Sequence, residues 1–247
     1  MIAPVLVLAA FFGIWQGYCA LSGIDPFVLP APSDIAKSLA DDRSLLWSDF
    51  TVTAREMVLG LLCALALGLA LAFLLHRSPP MRRGTYPLLI ASQAIPIPTL
   101  APVLLVWLGF GILPKLVIVA LVCFFPIVVP TLDALQRVDP DSRKLMRTLG
   151  ASQLQVTRFV EAPAALPGLF TGLRLAVAVA AIAAFIAETA GSESGLGHLV
   201  LQSIPQLETA RAFAAVVVLS VFSVALFAAL GVLERRLLPW AHERKDP

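Results

Sequence analysis

The densest set of chemically capable side chains lies in the segment 136–166, between two strongly apolar stretches. Residues 137–167 read RVDPDSRKLMRTLGASQLQVTRFVEAPAALP, with five cations: Arg137, Arg143, Lys144, Arg147 and Arg158. Asp139-Pro140-Asp141 supplies a helix start, an acid that can cap free amides followed by a proline at an early position. Leu145, Met146 and Leu149 then form an apolar patch at helical spacing. Gly150 breaks the run, Ala151 follows it, and Ser152 can cap a second short helix carrying Leu154, Phe159 and Val160. Pro163 and Pro167 are expected to end that helix and start the next apolar one. The chemistry this offers is recognition. Two short amphipathic helices around a glycine suit docking into a partner's groove. An interfacial helix pair lying on anionic lipid accounts for the same residues equally well.

A second group lies upstream. Pro96, Pro98 and Pro102 interrupt an apolar stretch by removing backbone donors, with Gln93 before the break and Trp107 beyond it. Irregular backbone inside a bilayer persists only where protein or a water-filled cavity satisfies it. The break is therefore either a packing kink or the lining of a pathway. Arg174 and Glu188 are the two charges that fall inside a later apolar stretch. They lie about 21 Å apart along one helix, too far to pair. Arg174 can snorkel to the inner surface, and Glu188 is expected near the outer mouth, as an interfacial group or part of a gate. No deep ionisable pair suited to proton coupling is expected. Catalysis has no visible residues: there is no GxxxxGK[ST] phosphate loop, and His76, His198 and His242 have no ligand spacing. Glu193 occupies the centre of GSESG, where a nucleophile elbow needs serine. Cys19, Cys63 and Cys123 read as small hydrophobes. No metal, no cofactor and no enzyme site is expected.

The elements that must hold these groups are set by composition. The 247 residues are 59% hydrophobic and 14% charged, against about 45–50% and 25% in soluble domains. That excess excludes a disordered chain, a disulfide-rich module and an ordinary soluble enzyme, and a net charge of +2 gives no case for nucleic acid. Six stretches reach the roughly 20 apolar residues a spanning helix needs: 4–24, 52–75, 86–110, 116–135, 167–190 and 212–233. With the N-terminus inside, twelve of the 18 Lys and Arg fall in inner segments and five in outer ones, which places both termini in the cytoplasm. Small residues repeat every fourth position at Gly60, Ala64, Gly68 and Ala72, and again at Gly172, Ala176, Ala180 and Ala184. Such stripes let helix backbones approach. The expectation is an all-α integral membrane protein, one transmembrane domain over residues 1–247 with about six spans and a cytoplasmic loop at 136–166.

Several ordered motifs resemble a known family. With Gly150 on its glycine, the loop resembles the coupling segment of bacterial ABC-importer permeases. Val160 and Pro163 match that segment's apolar and proline positions and Ala162 falls on its leucine, while Lys144-Leu145-Met146 stands where the family has Glu-Ala-Ala. LPAPSDI (29–35), SQAIPIPTLAPVLLVWLGFG (92–111), GLRLA (172–176), Ala187-Glu188 and GSESGLGHLV (191–200) resemble the nitrate, sulfonate, taurine, thiamine-precursor pyrimidine and riboflavin type. The resemblance implies a permease of the bacterial inner membrane, paired with a second copy of itself and surrounded by lipid. It further implies a cytoplasmic ABC ATPase dimer that binds ATP and Mg, and an extracytoplasmic solute-binding protein. Gln93, Pro96, Pro98, Trp107 and Glu188 would then belong to the pathway or gate. Leu145, Met146, Leu149, Gly150, Ala151, Leu154, Phe159, Val160 and Pro163 would couple to the ATPase. GSESGLGHLV and the ending ERRLLPW stand closer to the pyrimidine-precursor branch. An ion-gradient-driven secondary transporter is the alternative, which inverted repeats and buried acids would favour, and neither is apparent in the sequence. A membrane-anchored scaffold is a third reading.

Overall fold

A computed structural model describes residues 2–242, and among them the regular structure is entirely helical. In chain order the helices are α1 (Ile2–Ser22), α2 (Pro32–Asp41), α3 (Arg43–Arg77), α4 (Pro79–Ser92), α5 (Ile97–Leu108) and α6 (Ile112–Gln136). There follow α7 (Pro140–Thr148), α8 (Gln153–Val156), a π turn (Thr157–Glu161), α9 (Ala162–Thr189), α10 (Leu196–Ser203), α11 (Thr209–Leu237) and α12 (Pro239–His242). Five helical stretches are long and apolar enough to cross a membrane. The sixth candidate is the pair α4 and α5, which meet at 100°. This pair starts beside the end of α3 and delivers the chain to the start of α6 at the opposite end of the bundle. Gly60 and Gly68 of α3 face Val119 and Ile127 of α6, so these helices run parallel and the bent pair between them counts as a sixth span. Trp15, late in α1, packs on Phe213, early in α11, so α1 begins at the end of the bundle where α11 finishes.

The core forms where small residues allow close approach. Helix α6 is packed between α3 and α9, and Val119, Cys123 and Ile127 on it are fully buried. A Cβ at Gly60 would sit 2.5 Å from Val119 Cγ1, and one at Gly172 would sit 2.5 Å from the Pro126 carbonyl oxygen. Both four-residue stripes thus face α6, and every member is buried. Helix α1 stays at the periphery, and the apolar window that marks it as a span is wholly unburied. It is fastened through Gln16, which exchanges hydrogen bonds with Ser33 at 3.0 and 3.1 Å, and through Trp15, whose ring packs on Phe213.

Two expectations change. The second short helix of the 136–166 segment does not stop at Pro163. Residues 153–189 run as one helical stretch, because the π turn widens the backbone just where Pro163 has no N–H to give. Pro163 and Pro167 therefore sit in the first turns of a continuous span, which starts earlier than residue 167. The second span is likewise longer than expected, since α3 begins at Arg43.

Candidate functional site

Three groups of side chains stand out, at the two ends of the bundle and at the break between α4 and α5. The first is the loop from Arg137 to Ser152. Asp139 caps α7: its carboxylate accepts the Asp141 and Ser142 amides at 3.0 and 3.2 Å. These bonds, that of Asp141 foremost, hold the Asp139 carboxyl below the usual carboxylate range. Ser152 caps α8 reciprocally, its Oγ accepting the Gln155 amide at 3.3 Å while Gln155 Oε1 accepts the Ser152 amide at 2.7 Å. Between them Gly150 takes φ +81° with nothing within 4 Å of its missing side chain. The requirement for glycine there is conformational rather than steric.

No residue of α7 is buried. Leu145, Leu149, Leu154 and Phe159 are 61%, 74%, 69% and 61% exposed. Met146, Ala151, Val160 and Pro163 are half-buried at their margin. Four large apolar side chains thus stand exposed on and just beyond a capped helix–glycine–helix unit.

The second group is the break. Helix α4 ends at Ser92, Pro96 caps α5, and Gln93, Pro96 and Pro98 are all exposed there. A cavity of about 180 Å³ lies against the bend, lined by Ser92, Gln93, Ile97, Leu100, Leu121 and Phe124 among others, with no charged side chain. Trp107 projects from the far part of α5 and is 75% exposed. The structure therefore gathers Gln93, Pro96 and Pro98 at one elbow, with Trp107 on the same broken span.

Glu188 is elsewhere. It is fully buried, which corrects the expectation of an interfacial group. Its Oε1 accepts the Thr53 hydroxyl at 2.6 Å and its Oε2 accepts the Gly197 amide at 2.6 Å. The neighbouring turn is tied down similarly: Asp49 accepts the Gly195 amide at 2.8 Å, and Thr53 Oγ1 accepts that of Leu196 at 2.9 Å. Beside it Lys115 Nζ donates to Glu56 Oε1 and to Ser192 Oγ, both at 2.6 Å. Glu56 lies next to Glu188, so two acids and one base from α3, α6 and α9 form a buried knot. A buried ionisable pair, Lys115–Glu56, is thus present at one end of the bundle, where the sequence showed only separate charges. Of its members the sequence singles out only Glu188; Glu56 and Lys115 lie at span edges, far from it in the chain, and nothing in the sequence brings the three together. Arg174 does not reach freely for the surface either. It turns sideways to an ion pair with Glu234 on α11, over the Phe227 ring.

The fold is an all-helical bundle with five apolar helices long enough to cross a membrane and one broken pair. The chain belongs to the family described as "Binding-protein-dependent transport system inner membrane component", whose model matches residues 60–239. Among curated relatives it is similar to the formylaminopyrimidine transport permease protein ThiX of Halalkalibacterium halodurans, 34% identical over 96% of this chain and 95% of that one. It is 33% identical to the riboflavin transport system permease protein RibX of Chloroflexus aurantiacus, over 92% and 85%. The taurine transport system permease protein TauC of Escherichia coli is 28% identical over 96% and 88%. Its fold is similar to that of an amino acid ABC transporter crystallised with histidines, with TM-score 0.65 at 17% identity, covering 81% of this chain and 97% of that one. The chain is thus an ABC-transporter permease of the inner membrane.

Proposed function

We propose that this permease works as a homodimer that imports a small neutral heteroaromatic solute, of the aminopyrimidine class, with ATP hydrolysed on a separate ATPase dimer. The observation that carries the ATPase assignment is the free apolar surface of Leu145, Leu149, Leu154 and Phe159 on the capped loop. Docking there would place the 136–166 segment and both termini in the cytoplasm, with the Glu56–Lys115–Glu188 knot toward the extracytoplasmic binding protein. In each copy the pathway follows the broken span, with Gln93 offering hydrogen bonds and Trp107 an aromatic face. The solute class rests on the elbow cavity. An anion pathway needs cationic or dipolar groups, and the cavity's side chains are apolar apart from Ser92 and Gln93. The name of the 34% identical relative fits such a solute. A carrier driven by an ion gradient has no support from the family.

Two measurements test this. Purified from its own membrane, the chain should bring an ABC ATPase with it. Leu149→Ala or Phe159→Ala should weaken that association by about 2 kcal/mol, the loss expected for one large apolar side chain buried on docking. Vesicles carrying the complex should accumulate formylaminopyrimidine in preference to taurine. Association unaffected by both alanine changes would sink the docking assignment, and a preference for taurine would sink the solute class.

A further inference from the structure

Helix α7 has no buried residue, yet one of its side chains enters the bundle. Arg143 Nη2 donates to the Leu135 carbonyl at the end of α6 at 2.7 Å, and its Nε lies 3.2 Å from Glu161 Oε1. The Glu161 side chain is 3% exposed. Its Oε1 also meets His76 Nε2, in the last turn of α3, at 3.2 Å, and its Oε2 accepts the Thr157 hydroxyl at 2.9 Å. Arg77 Nη2 donates to that same Thr157 Oγ1 at 3.4 Å. One buried carboxylate thus joins α3, α7 and the root of α9, and Arg143 adds the end of α6.

The placement decides what this cluster can do. A partner pressing on α7 can move the spans through the chain on either side of α7, through Arg143, or through Arg147, whose Nη2 donates to Gln153 Oε1 on α8 at 3.1 Å. One chain connection contains Gly150 at φ +81°, with nothing within 4 Å of its missing side chain, and the Arg147–Gln153 bond across that turn is solvent-exposed. Arg143 by contrast is a permanently charged fork held against a carboxylate that has almost no access to water. Glu161 sits in the π turn, where the helix is widened, as is frequent at functional sites. We propose that the Arg143–Glu161–His76 cluster is the positioning device that converts displacement of α7 into movement of the spans, pulling the root of α9 and the end of α3 together. Arg143 and Glu161 are positioning residues that touch neither solute nor nucleotide.

This rests on the reading of the loop as the ATPase dock, and the test separates the two. In vesicles holding permease, ATPase and binding protein, solute accumulated per ATP hydrolysed is measured with formylaminopyrimidine, riboflavin and taurine as probes. Arg143→Gln and Glu161→Gln should each keep the ATPase bound and hydrolysing while that ratio falls on the order of tenfold, within the range seen for residues that carry coupling. The double variant should fall no further than either single one, since both changes break the same link. Arg143→Lys keeps the charge but lacks the fork and should recover part of the ratio, and it is the fallback if a neutral variant fails to assemble. An unchanged ratio in assembled Arg143→Gln or Glu161→Gln, even with lower thermal stability, would reduce the cluster to a structural contact and overturn the proposal. A wild-type chain that binds no ATPase would overturn the docking reading, and the proposal with it. Wild-type and variant complexes that couple equally well would overturn the proposal alone.

Discussion

Lys115 shows how much can depend on a charge that looks peripheral. Its ammonium and the Glu56 carboxylate are 8% and 2% exposed and lie 2.6 Å apart. Breaking a buried pair from one side leaves the other charge without compensation, at a cost of about 3–5 kcal/mol. Lys115→Met should therefore lower the unfolding temperature sharply, whereas Lys115→Met with Glu56→Met should recover most of the loss; differential scanning fluorimetry in detergent measures both. If the single and double variants melt together, Glu56 does not depend on Lys115. Sequence alone could not have found this pair, because its members lie 59 positions apart and neither has a charged neighbour at helical spacing. The caps of α7 and α8 were legible, since Asp139 and Ser152 act on amides two or three residues away. Asp139 also carries a pH signature. Its folded value is lowered, chiefly by the Asp141 amide, so its contribution is complete above the unfolded value of about 3.9 and is lost as pH falls through the folded one. Hydrogen-exchange protection in α7, taken relative to the intrinsic rate at each pH, should fall on acidification across that window. Asp139→Ala should show low protection throughout, with no such acid step.

The small-residue stripes translated directly into structure, because a residue without a side chain leaves few other uses for a helix face inside a bilayer. At Gly172 the space is closed by backbone: an added Cβ would meet the Pro126 carbonyl oxygen at 2.5 Å and the Ile127 Cα at 3.0 Å. Neither atom can swing aside as a side chain could. Gly172→Val should force α9 away from α6 and cut the yield of folded permease, read by size-exclusion chromatography in mild detergent. Gly84→Val, where nothing lies within 4 Å, is the control, and equal losses in the two would show that packing is not the cause. The prolines at 96, 98 and 102 announced a break in the third span, but not its 100° angle, which missing backbone donors alone do not fix. The π turn at 157–161 was illegible for a related reason. Proline at 163 marks a missing donor, and sequence cannot say whether the helix ends there or widens to absorb it. Gly150→Val belongs with these. At φ +81° a β-branched residue is strained, so α8 should be misdirected and ATPase stimulation lost while the spans still assemble.

The helix order makes the number of passages, and so the pairing of the two ends on one face, a property of the whole chain. Its direction across the membrane is a separate matter, carried by the twelve-to-five division of cations and not by packing. Six passages put the α2–α3 junction and the 137–152 loop on opposite faces, so a pair of labels decides the orientation. Cys19, Cys63 and Cys123 are free thiols that would first be replaced by alanine or serine. In that background Asp41→Cys lies at the exposed end of α2. Lys144→Cys lies on α7, where the native side chain is 77% exposed and pairs with Asp141 alone, at 3.0 Å. Neither change touches the core, the knot or the Arg143–Glu161–His76 cluster. Intact cells whose outer barrier passes a membrane-impermeant maleimide should label the thiol at 41 at once, and the thiol at 144 only after the inner membrane is broken. The reverse pattern would put the loop outside, beyond reach of ATP, and would remove the basis for both the docking surface and the linkage through Arg143. Prompt labelling at both positions would mean that the bent pair α4–α5 enters and leaves on one side, contrary to the passage from the end of α3 to the start of α6.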